Sequence, residues 1–163
     1  MGALQSGMTE DMRALLMAHA SSKPGEGEAP VGFVDWEREA LLAQVRTIAR
    51  RIEERLSVPV AYDDGFQDAS CVAALGLKVA DGREAVIRFS RFGRMAVVFR
   101  WAEEARLPLR TSLEPELLPL VEQRGFRIIP PDILARPYDG LYGRCSGPFN
   151  DPMTWFERYF DYL

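Results

Sequence analysis

Apolar residues between Asp35 and Leu56 return with helical spacing. Leu41, Val45, Ile48, Ile52 and Leu56 are separated by four, three, four and four positions, which sets them along one stripe, and Asp35 stands where a cap is needed. The other side carries Arg46, Arg50, Arg51, Glu53, Glu54 and Arg55 and reads as a solvated face with helix-spaced ion pairs. A shorter amphipathic stretch, Met8 to Ala20, has Thr9 as N-cap and Met12, Leu15, Leu16 and Ala20 on one side, and is expected to pack loosely. "SSKPGEGEAPVG" follows it without apolar periodicity. The chain is therefore expected to divide into a short helix and flexible linker over residues 1–30 and a single domain over residues 31–163.

Beyond the long helix the period shortens. "VPVAY" predicts a strand whose Pro59 marks its start or an edge. Three more strands are expected in the stretch Ser70 to Trp101. In the second of its hairpins, a three-residue loop of Arg91, Phe92 and Gly93 would place Gly93 in the left-handed region and set Ser90 opposite Arg94. Ala85, Ile87 and Phe89 would then share a core face with Met95, Val97 and Phe99. Glu84 would pair with Arg100, and Arg88 with Ala96, on a wet face. In the first hairpin a two-residue Asp81-Gly82 turn would put Leu75 and Leu77 on the face opposite Ile87, so a longer loop or a bulge is expected there.

"EPELLPLVEQRGF" predicts a helix begun by Pro115 and closed by Gly125, and "FRII" a short strand stopped by Pro130-Pro131. After a polar loop, Asp151-Pro152 is expected to open a terminal helix in which Trp155, Phe156, Tyr159, Phe160 and Leu163 fall on neighbouring positions and mostly close the core. The fold class is α+β: an antiparallel β-sheet of four to five strands, with a long N-terminal helix, a second helix and a C-terminal helix packed on one of its faces.

Composition narrows the function classes. The 163 residues are 47% hydrophobic and 27% charged, enough to build one globular core. A net charge of −4 opposes general affinity for polyanions. Arg88, Arg91, Arg94 and Arg100 read as the outer side of a half-buried sheet, and "FGRMAVVF" lacks the aromatics of the RNA-recognition signature, so no nucleic-acid partner is expected. Two cysteines form no disulfide framework and no signal segment precedes the helix, which makes the expected location cytoplasmic. No apolar run approaches the roughly 20 residues of a membrane span, and no membrane partner is expected.

Candidate chemistry is sparse. His19 is the only histidine and lies outside the expected domain, so a serine or cysteine nucleophile there has no imidazole base. Cys71 reads as a small core residue, and the two cysteines lack metal-ligand spacing. No cofactor, no metal and no catalytic residue are assigned. The densest acidic point is "DDGFQDAS", with Asp63, Asp64 and Asp68 after a strand; it does not follow the calcium-loop order, and serves turn formation or an acidic patch for a basic partner. Towards the carboxyl end Tyr138, Asp139, Tyr142, Trp155 and Tyr159 gather residue types that favour protein interfaces as well as cores.

"RFSRFGRM" (88–95), "PYDG" (137–140) and "TWFERYFDYL" (154–163) together resemble a recurrent set in small bacterial proteins, some of them immunity proteins of polymorphic toxin systems. That resemblance implies a cognate toxin as partner. The resulting expectation is a non-enzymatic binding protein that engages a protein partner through Asp63, Asp64, Asp68, Tyr138, Asp139, Tyr142, Trp155 and Tyr159. The alternative is a small hydrolase using carboxylates, alone or with a metal, as acid, base or ligand.

Overall fold

A computed structural model of the chain describes residues 2–18, 35–66, 70–102, 107–139 and 153–160. The long helix predicted from its stripe is α2, Asp35–Leu56, and Leu41, Val45, Ile48 and Ile52 are its buried side. It is preceded by α1, Gly2–Ala18. Strands β1 (Val60–Asp63), β2 (Cys71–Lys78), β3 (Glu84–Ser90) and β4 (Met95–Ala102) form an antiparallel meander. The far edge of β4 is shared: Arg100–Ala102 pair antiparallel with β5 (Leu107–Leu109), while Met95 and Ala96 pair parallel with β6 (Arg127–Ile128). Helices α3 (Glu114–Glu122), α4 (Pro131–Leu134) and α5 (Trp155–Phe160) complete the order. The class is α+β, as expected, but the sheet has six strands and is mixed. Pro108 hid β5 from the sequence, because proline is tolerated in a strand only at an edge such as this one.

Helices cover both faces of the sheet, not one. Packed on one face, α2 and α3 bury Leu75, Leu77, Ala85, Ile87, Phe89, Ala96 and Val98. On the other face, α5, α4 and the end of α1 bury Met95, Val97 and Phe99. Leu16 of α1 is fully enclosed there, and Tyr159 donates its hydroxyl hydrogen to the Leu16 carbonyl at 2.5 Å, so this half of α1 is docked where loose packing was expected.

Register explains the second face. Val86 faces Phe99, Ile87 faces Val98, Arg88 faces Val97 and Phe89 faces Ala96. This is one residue out from the expected pairing of Arg88 with Ala96, and a one-residue slip moves every β4 side chain to the other face. The expected core set of Met95, Val97 and Phe99 accordingly lies opposite Ala85, Ile87 and Phe89, in a separate core. The cause is the loop. Gly93 does take positive φ (57°), but so does Arg94 (51°), and the Met95 N–H closes on the Phe92 carbonyl at 3.2 Å, as in a hairpin turn with two left-handed centres. A left-handed arginine costs on the order of 1 kcal/mol. Contacts of its guanidinium offset that cost: it lies 5.7 Å over the Phe126 ring and donates to the Gln44 amide oxygen and the Arg124 carbonyl.

In the first hairpin a longer loop does intervene. Leu77 pairs with Ala85 and Leu75 with Ile87, the Val79 N–H reaches the Arg83 carbonyl at 2.8 Å, and Gly82 has φ 88°. Arg88, expected on a wet face, is roofed by α5: it donates to the Phe160 carbonyl at 2.8 Å and lies 5.4 Å over the Phe156 ring. It thereby satisfies an orphan carbonyl at that helix's C-terminal end. The N-terminal end of α5 is held by a capping box: Thr154 Oγ1 accepts from the Glu157 N–H at 3.2 Å, and Glu157 Oε2 accepts from the Thr154 N–H at 2.6 Å. Thr154 takes the capping role expected of Asp151, which lies outside the described residues, as does Leu163.

Candidate functional site

Alternation along β1 turns its neighbouring acids to different tasks. Tyr62 points to α2, where Arg46 stacks 5.6 Å over its ring. Asp64 Oδ2 accepts from the Tyr62 hydroxyl at 3.0 Å and from Arg46 at 3.4 Å, while its carbonyl accepts from Arg38 at 3.0 Å. Asp63 is exposed, and its Oδ1 accepts from the Gly65 N–H at 2.9 Å, a local turn bond. The two carboxylates therefore do not converge. Asp68 lies outside the described residues. Among the described residues no three His, Cys, Asp or Glu side chains are grouped to hold a metal ion.

Burial, followed by the hydrogen bond and negative charge of Asp64, pushes the Tyr62 phenol from its ordinary 10.0 up to about 12, with Arg46 pulling the other way. The folded value is raised, so the stability this phenol contributes is complete below pH 10.0 and drains away between pH 10.0 and about 12, where only the unfolded chain readily loses the proton. Urea midpoints measured across that window should fall less steeply for Tyr62→Phe than for the parent chain. Parallel curves would show that Tyr62 does not hold its proton in the fold.

The aromatic candidates lie on the opposite side of the sheet and are enclosed. Tyr138, Trp155 and Tyr159 are buried in the second core: Trp155 stacks on Tyr159 at 5.9 Å, and Tyr138 meets Trp155 edge-on at 4.7 Å. Burial raises the Tyr159 phenol well above its usual range. These three rings pack in the core, and of them Trp155 also lines a cleft with Arg13, Leu16 and Asp139. Asp139 is exposed and paired with Arg13 of α1 at 2.8 Å, and Tyr142 lies outside the described residues. Arg158 went unnoticed in the sequence; it is 1% exposed and sandwiched 5.3 Å from both Phe92 and Tyr159.

Among the described residues the sheet leaves open a trough on the α5 side, bounded by Trp101, whose ring packs 5.7 Å from Phe156 of that helix. Ala61, Gly76 and Val86 are adjacent across β1, β2 and β3, and Trp101, two residues beyond Val86's β4 partner Phe99, lines the hollow from β4. Lys78, Glu84 and Arg100 border this hollow of about 640 Å³. Alternation puts exposed Asp63 on the same face as Ala61. A Cβ built on Gly76 would meet nothing closer than the Ala61 Cβ at 3.9 Å. Neither crowding nor positive φ requires glycine there, although a glycine inside a strand weakens it, so its effect is to keep the floor low. That strand-internal glycine was the one signal in the sequence that pointed to the trough. No protein-family model, curated protein or solved structure matches the chain.

Proposed function

We propose that this chain is a non-enzymatic binding protein of the immunity or inhibitor kind, which seats a protein partner on the open strip of sheet between β1 and Trp101. The trough is the observation that carries this reading: a half-buried tryptophan beside a floor of alanine, glycine and valine suits an inserted apolar side chain, and tryptophan is prominent among residues that dominate binding energy. The sheet edges are poorly suited to strand addition. β1 has four residues, Pro59 precedes it, and its Val60 N–H is already bonded to Glu53 Oε1 at 3.1 Å; β5 has three residues with proline at its centre. Docking on the face avoids both edges. Asp63 and the net charge of −4 favour approach of a cationic partner, the character of a toxin that acts on nucleic acid. Nothing comparable favours the hydrolase reading, since the described clefts each bear one carboxylate, Glu37, Glu84 or Asp139.

Affinity purification of the chain from its native host tests the proposal. The parent chain should retain one stoichiometric protein, and Ala61→Arg and Gly76→Phe, which fill the trough without touching either core, should lose it while melting normally. Growth of cells expressing that protein should be rescued by the parent chain and not by the variants. Absence of a stoichiometric partner, or a partner held equally by both variants, overturns the assignment.

A further inference from the structure

The floor of the trough is stepped. On its low side Ala61 of β1 lies beside Gly76 of β2. On its high side stand Val86 of β3 and Trp101 of β4, and α5 adds a further layer there, through Phe156 against Trp101 and the Phe160 carbonyl on Arg88. Two residues along the strands from Gly76 and Val86, Lys78 on the low side pairs with Glu84 on the high side, and alternation turns all four positions to one face. Lys78 and Glu84 are exposed, and among the described residues neither side chain forms an ion pair. A low, positive half therefore meets a high, negative half along the line between β2 and β3.

We propose that a second copy of this chain occupies the trough, the two copies being related by a two-fold axis parallel to the strands and midway between β2 and β3. A two-fold contact needs a patch complementary to itself, and this axis makes the step so. Each low side receives the high side of the other copy: Val86 stands over Gly76, Trp101 over Pro59 and Ala61, and Lys78 of each copy over Glu84 of the other. Sheets packed face to face keep their strand directions within about 30° of each other, which an axis along the strands satisfies. An axis across the strands at that row would set Lys78 against Lys78 and Glu84 against Glu84, and like charges oppose it. The second copy uses the same strip as the proposed partner and competes with it, but its docking does not depend on that partner.

Sedimentation equilibrium of the purified chain, with no other protein present, provides the test. The parent should dimerise with concentration, and less so as salt is raised. Lys78→Glu and Glu84→Lys each set like charges across the axis twice per dimer, and each should weaken association by about tenfold or more while circular dichroism shows a folded chain. An equal mixture of the two variants should regain the dimer, because each then faces the opposite charges of the other. Contacts between Lys78 and Glu84 within one chain cannot be repaired by a second chain, so the mixture separates the two causes. A parent that stays monomeric, variants that dimerise as the parent does, or a mixture that stays monomeric overturns the inference. A chain that dimerises yet retains no partner from its host overturns the proposed function alone.

Discussion

Ending the chain at Asp151 is expected to unfold it. The truncation removes Trp155, Phe156, Tyr159 and Phe160, all buried, together with the carbonyl that holds Arg88. Each large side chain withdrawn from water contributes about 1.5–3 kcal/mol. Four of them together rival the roughly 5–15 kcal/mol that holds a whole domain folded. What remains would expose Met95, Val97 and Phe99 on the sheet and Phe92 on the loop, a contiguous apolar patch prone to association. Circular dichroism melting and size-exclusion chromatography check this: the truncated chain should lack a cooperative transition or elute as aggregate. A monomer that melts with the parent would mean that the second core contributes little.

Ala96→Glu is expected to cost about 3–5 kcal/mol, because it buries a charge with no partner in a packed core. Ala96 is fully buried, facing Phe89 in the core beneath α2 and α3. The pairing expected from sequence instead sets Ala96 on a wet face beside Arg88, where an added glutamate would change stability by no more than about 0.5 kcal/mol. One urea titration therefore decides between the two registers. Ala61→Glu, at an exposed position of β1, serves as the control and should leave the midpoint nearly unchanged.

These two variants mark where sequence reading reached and where it stopped. The stripe on α2 was legible because five apolar residues at helical spacing admit one burial pattern, and the α3 boundaries because Pro115 and Gly125 act locally, Gly125 taking φ 78° as a closing glycine should. The core role of Cys71 was legible as well, inside an apolar strand. A capping box, Thr154 with Glu157, could also have been read, since its signature spans only four residues. Even the second core left a trace: Met95 to Phe99 is an unbroken apolar run, the pattern of a strand covered on both sides, where alternation would mark one open face.

Other features lay beyond local pattern. Whether the loop before β4 holds three residues or four depends on one arginine accepting a left-handed conformation, and its compensation comes from Phe126, Gln44 and Arg124, residues distant in sequence. The aromatic residues of α5 suit a core and an interface equally well by type; only the docking of Leu16 and Phe92 against them makes them core. The trough lies on the part of one sheet face that the described residues of α5 leave uncovered, and a cleft on the other face forms where α2 meets a loop more than thirty positions beyond its end. Sequence by itself determined α2, α3, the strands β1 to β4 and β6, their order and the α+β class, but not β5 or α4, since periodicity and turn chemistry act over a few neighbouring residues. Tertiary structure alone decided register, the second covered face and both open sites, since each depends on which distant side chains meet.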